Sequence, residues 1–127
     1  MGNASLTHLL DSVVLIDHFN GIEAATSFLA RTKGRAAVSV ITRAEVLTGF
    51  AREREPLALR LLDRFVTVEI GVAAADLAAR LRRENRWKLP DAFQAALALS
   101  RGLRLATRNT RDFPPERFSF VEAPYRL

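Results

Sequence analysis

Apolar positions change their period repeatedly along this chain. Residues 5–10, "SLTHLL", read as a short strand, and "VVLIDHF" as one or two helical turns stopped at Asn20-Gly21. In "IEAATSFLART", Ile22, Ala25, Phe28 and Leu29 fall near one helical face, and Gly34 closes that helix. "AAVSVI" is a buried-looking strand, followed by helical "TRAEVLTGFA" and "PLALRLLDRF". "VTVEI" is a strand, and "AAADLAARLRREN" is a basic amphipathic helix with Leu77 and Leu81 four apart. A nearly all-apolar helix, "PDAFQAALALSR", ends at Gly102 and leads into the strand "LRLAT". After the turn-rich "RNTRDFPPE", "FSFVEA" is the last strand expected. No repeat, low-complexity run or linker interrupts the series. Short strands alternating with helices predict an α/β/α sandwich: a parallel sheet covered on both faces.

That architecture changes the meaning of "LLDSVVLID", where Asp11 stands between two apolar runs. Ligands of open parallel sheets bind beyond the carboxyl ends of the strands. Asp11 follows the first strand, and Glu45 lies in the first turn expected after "AAVSVI". Asp91 opens the apolar helix, while Asn109 follows "LRLAT" with Asp112 three residues on. Each position also has a local explanation. Thr42-Arg43-Ala44-Glu45 has the form of a capping box, and Asp11, Asp91 and Asn109 suit helix starts. Capping does not predict carboxylates gathered at one edge of one sheet. Carboxylates brought together there repel unless a cation lies between them. An all-oxygen set points to a hard ion, Mg²⁺ or Mn²⁺.

Composition narrows the field further. The chain has 127 residues, enough for one domain spanning 1–127, with 49% hydrophobic and 26% charged residues in the globular range. It has no Cys, which excludes disulfides, thiolate metal sites and a cysteine nucleophile. His8 and His18 share no ligand spacing with Asp11 and read as structural. The net charge of +5 permits a polyanionic partner without selecting one. "MGNASLTHLL" has no basic start and no long apolar run, so a cytoplasmic location without membrane attachment is expected. A signalling phosphoacceptor would need a Lys near a later strand end. The two lysines, Lys33 and Lys88, precede a strand and a helix instead.

"LLDSVVLID", "SVITRAEVLTG" and "LPDAFQAALALSRGLRLATRNTRDF" resemble, in order and spacing, the PIN-domain family and its VapC-type toxins. The resemblance runs from Leu9 to Phe113. It implies a parallel, about five-stranded sheet and a metal-dependent endoribonuclease that hydrolyses RNA with activated water. It also implies a Mg²⁺ (or Mn²⁺) cofactor, a small cognate antitoxin protein and a homodimer. The family's acidic positions map to Asp11, Glu45 and Asp91, with Asn109 or Asp112 filling the fourth. Asp11 and Asp91 would hold the metal directly, and Glu45 would ligate through water or orient the nucleophile. Arg43, Arg108 or Arg111 would bind substrate phosphate. Ser12 stands where the family usually has Thr, and Val13 where it usually has Asn. Val13 and Asn109 keep open an alternative, a PIN-fold binding module without nuclease activity. For the antitoxin, Ile22, Phe28 and Leu29 with Val46, Leu47 and Phe50 would offer one apolar groove.

Overall fold

The computed structural model describes residues 5–127; the first four residues of the opening segment lie outside it. Five strands, β1 (His8–Leu10), β2 (Ala36–Ser39), β3 (Val66–Val68), β4 (Arg104–Ala106) and β5 (Val121–Glu122), pair in parallel in the order β3-β2-β1-β4-β5. Between them run α1 (Ser12–Phe19), α2 (Glu23–Arg31), α3 (Val40–Thr48), α4 (Glu55–Leu62), α5 (Val72–Asn85) and α6 (Leu89–Arg101). The chain builds outward from β1 through β2 to β3, then returns to the other side of β1 for β4 and β5. Strand order therefore reverses between β1 and β4, and a crevice opens beyond their carboxyl ends.

Alternation along the strands fills a core on each face of the sheet. Leu9, Ala37 and Leu105 point into the layer made by α5 and α6, against Ala78, Ala92, Ala95 and Ala96. Leu10, Ala36, Val38 and Ala106 point the other way, against Val14 and Leu15, Phe28, Val46 and Leu62 of α1 to α4. Leu9 and Leu10 are both fully buried, each contributing roughly 1.5–3 kcal/mol by leaving water. Slipping β1 by one residue would exchange the two faces and move Asp11 as well. The same burial that orders the sheet thus fixes where that carboxylate stands.

The α/β sandwich is as expected, but its strands are shorter than the apolar runs. "AAVSVI" stops pairing at Ser39, whose hydroxyl oxygen accepts the Thr42 backbone N–H at 3.0 Å and starts α3. Val40 and Ile41 are consequently helical. Of "FSFVEA", only Val121–Glu122 pairs, while Phe118 stacks on Trp87 with ring centroids 5.2 Å apart. Nor do the apolar residues of α2 and α3 form one groove. Phe28 and Val46 are core residues, Phe28 lying edge-on to His8 at 5.6 Å. Leu29 faces a cleft shared with Leu61 and Phe65, whereas Phe50 faces another shared with Ile16 and Phe19.

One buried ion pair ties the end of the chain to this frame. Asp17 of α1 is 3% exposed and receives Arg108 through Nε at 2.6 Å and Nη2 at 3.0 Å. The Tyr125 hydroxyl donates to the same carboxylate at 2.7 Å. The Arg108 hydrogen bonds hold the Asp17 carboxyl below its ordinary 3.8, more than offsetting the effect of burial. A lowered folded-state value stabilises the fold above the ordinary carboxylate range and is lost as pH falls through and below 3.8. Asp17→Ala should therefore cost about 1–3 kcal/mol at pH 7, seen as a lower Tm. The difference from the parent protein should shrink in thermal melts taken toward pH 3.

Candidate active site

Each acidic residue at the crevice is carried by a different element. Asp11 caps α1, its Oδ1 accepting the Ser12 backbone N–H at 2.8 Å. Its Oδ2 accepts the hydroxyl of Thr107, the buried residue following β4, at 2.6 Å. Capping and placement at the sheet edge are here one arrangement, because β1 and β4 are direct neighbours. Asp91 sits in the first turn of α6 behind Pro90, and the cap residue of that helix, Lys88, makes no side-chain cap hydrogen bond. Glu45 lies beyond the first turn of α3, since that helix begins at Val40 and its cap is Ser39. The capping-box reading of Thr42 and Glu45 therefore fails. Glu45 is left exposed on α3, without a role in starting it.

Thr42 does something else. Its hydroxyl donates to the Leu10 carbonyl at 3.0 Å and accepts from the Gln94 amide at 2.6 Å. The Gln94 carbonyl oxygen in turn accepts the Ser39 hydroxyl at 2.7 Å. All three side chains are at most 2% exposed. The network joins the last residue of β1 to α3 and α6, directly behind Asp11. Sequence reading missed it, although Gln94 is the lone polar residue inside "AFQAALAL" and marks the place.

Electrostatics register the convergence. The Asp91 carboxyl is pushed up from 3.8 to about 6, first by burial, then by the charges of Asp11, Asp112 and Glu45, with Lys88 opposing. Glu45 is raised as well, mainly by burial, with Asp11 adding and a Ser12 hydroxyl bond opposing. Asp11, Glu45, Asp91 and Asp112 therefore lie within electrostatic reach of one another. They do not close into a cage: among the described residues, no three acidic or histidine side chains are gathered as metal ligands. The donor set nevertheless suits a hard cation. It is all oxygen, mutually repulsive, and includes two exposed carboxylates, Glu45 and Asp112.

The fourth position resolves into a pair. Asn109 donates its amide to the Asp112 carboxylate at 3.0 Å and accepts the Asp112 backbone N–H at 3.3 Å. Asn109 thus orients Asp112 within the turn, and Asp112 carries the charge that Asp91 feels. Of the three arginines expected near phosphate, Arg43 is bonded to Asp63 at 3.1 Å and Arg108 is committed to Asp17. Arg111 alone lines a pocket that includes Asp112. The histidines are structural in their contacts: His8 bonds Glu122 at 3.0 Å and His18 bonds Thr26 at 2.7 Å.

Over this parallel sheet and its switch point, the PIN domain family model matches residues 8–115. The chain belongs to the PIN-domain family. It is 40% identical to Ribonuclease VapC10 of Mycobacterium tuberculosis over 126 residues, covering 94% of this chain and 93% of the relative. Its fold matches a toxin–antitoxin complex from Klebsiella pneumoniae with a TM-score of 0.86 and 34% identity, over 95% of this chain and all (100%) of that one. A DNA-bound VapBC from Salmonella typhimurium matches at 0.77 and 25% identity, over 92% and 97% of the two chains. No helix among the described residues is long and apolar enough to cross a membrane.

The raised Asp91 value has a thermodynamic consequence. A carboxyl whose folded value lies above its ordinary one favours the fold at low pH and loses that contribution as pH rises from 3.8 through about 6. With EDTA present, Asp91→Asn should therefore be more stable than the parent at pH 7.5, by about 1–2 kcal/mol after solvent screening is allowed for. Near pH 4 the two melting curves should coincide. A variant no more stable at pH 7.5 would mean that Asp91 feels none of its neighbours.

Proposed function

We propose that this chain is the ribonuclease toxin of a toxin–antitoxin pair, acting in the cytoplasm as a single PIN-like domain, residues 1–127, that assembles as a homodimer. Its substrate is RNA, and its restraint is a small cognate antitoxin. The observation that carries the reading is the crowding of Asp11, Glu45 and Asp112 around a half-buried Asp91 raised to about 6, at the switch point of a sheet. Family membership and the 40% identity to a ribonuclease set the substrate class.

Asp11 and Asp91 would hold Mg²⁺ or Mn²⁺ directly, the one oriented by Ser12 and Thr107 and the other placed in the first turn of α6. When bound, the cation supplies a water activated at neutral pH and offsets charge on the phosphate. Glu45, whose carboxylate the Ser12 hydroxyl steadies, would orient the attacking water or ligate through one. Asp112, steered by Asn109, would be the fourth member of the set. Thr107 holds Asp11 at a fixed angle, which limits reorganisation when the ion arrives.

Attack by an external water leaves 5′-phosphate and 3′-hydroxyl ends, whereas attack by the neighbouring 2′-hydroxyl leaves a cyclic phosphate. The second route wants a pair of acid–base groups such as two histidines. His8 and His18 are engaged elsewhere, with Glu122 and Thr26. RNA incubated with the protein and Mg²⁺ should be cut to 5′-phosphate ends, and EDTA or Asp11→Asn should reduce cleavage to background. Full activity in EDTA would sink the assignment. A folded parent protein that binds RNA without ever cutting it would favour the non-catalytic binding module.

A further inference from the structure

A small basic pocket lies beside the acidic crevice and shares one wall with it. Its volume is about 180 Å³, and Arg86, Arg111 and Arg117 surround it together with Trp87, Asp112 and Phe118. That volume is below the range of pockets that enclose drug-sized ligands, and suits a single phosphodiester group. Among the described residues none of the three arginines forms an ion pair, whereas Arg43, Arg104 and Arg108 all do. Three arginines thus line one pocket with a single acidic residue, Asp112, whose carboxylate Asn109 already engages.

The pocket is held rigidly from below. The Trp87 indole N–H donates to the Asp112 carbonyl at 2.9 Å, and its ring packs on Phe113 at 4.7 Å and Phe118 at 5.2 Å. The Arg117 guanidinium lies over the Phe118 ring at 5.3 Å. Arg86 adopts φ 58°, ψ 31°, and is the non-glycine residue with positive φ among those described. It ends α5 where glycine would be the unstrained choice. An arginine kept in that conformation is a backbone cost that the local fold does not require.

We propose that this pocket receives a phosphodiester of single-stranded RNA flanking the bond to be cut. The assignment rests on the ribonuclease reading above and extends it to a substrate subsite. Asp112 belongs to both the pocket wall and the carboxylate group, so a strand lying across Asp91 and Asp112 passes over the arginines. Planar guanidiniums match phosphate oxygens in a paired geometry, and the buried Trp87 and Phe113 rings beneath give the pocket a fixed floor. An acidic protein segment would satisfy the charge but has no phosphodiester to present to the neighbouring carboxylates, which Asp112 joins to the pocket.

Trp87 is the only tryptophan in the chain, so its emission reports on this pocket directly. The full-length Asp91→Asn protein, in EDTA, is titrated with a single-stranded oligoribonucleotide. Binding is followed by anisotropy of the labelled RNA and by Trp87 fluorescence. Saturable change in both signals is expected. Adding Arg86→Gln and Arg117→Gln should weaken binding roughly tenfold and lower the salt dependence by about 0.7 for each phosphate no longer neutralised. Arg86→Gly should also weaken binding while raising Tm, which separates the missing guanidinium from any damage to the fold. Unchanged RNA affinity in these variants, an unresponsive Trp87, or equal competition by a poly-glutamate peptide would overturn the subsite. Absence of cleavage by the parent protein in Mg²⁺, scored separately, would overturn the enzyme reading instead.

Discussion

The hydrogen bonds among Ser39, Thr42, Gln94 and the Leu10 carbonyl hold the crevice in place. These groups lie in a dry interior, where an unpaired amide or hydroxyl would cost about 1–3 kcal/mol each. Among the described residues no buried side-chain nitrogen or oxygen lacks a partner. Such a network is specific in a way an apolar contact is not, because shifting either helix would leave several groups unsatisfied at once. Thr42 stands three residues before Glu45, Gln94 three residues after Asp91, and Leu10 immediately before Asp11. Thr42, Gln94 and Leu10 therefore each lie within about one helical turn, or one residue, of a crevice carboxylate.

Fixing those carboxylates works against the stability of the fold. Asp91 is half-buried beside three like charges, and its rise to about 6 measures how unfavourable its ionised form is there. A protein selected for stability alone would place an amide at that position. The two well-filled core layers and the Asp17–Arg108–Tyr125 bond stabilise the chain elsewhere, and leave the crevice poised to accept positive charge. Local sites that oppose the otherwise consistent pattern of a fold are where function is expected.

Hydrophobic period was sufficient to reveal the alternation of strands and helices, and with it the rule that places a site beyond the strand ends. Asp11 was legible because capping alone, which it also does for α1, does not gather carboxylates from several segments at one sheet edge. The exact start of α3 was not legible. Ser39 and Thr42 are both plausible caps, and only the tertiary partner Gln94 decides between them by occupying the Thr42 hydroxyl. That choice moves Glu45 from a capping residue to an exposed carboxylate. The expected apolar groove failed for a related reason. Helical period places Phe28 and Leu29 near one face, but it cannot say that His8 and Tyr125 close over Phe28.

Charge along this chain is sorted rather than balanced. A net charge of +5 would ordinarily be read as a diffuse attraction for polyanions. In three dimensions the acids that matter are drawn to the end of β1 and β4, and several arginines are committed to structure: Arg108 to Asp17, Arg43 to Asp63, Arg104 to Glu122. The arginines of the small pocket beside Asp112 are held by no such pair. The carboxylates of the crevice alone would repel an anionic strand, and the proposed arginine subsite is the neighbouring feature of opposite charge. Binding and cutting are thereby divided between neighbouring groups of opposite sign, with the Asn109–Asp112 turn as their common boundary.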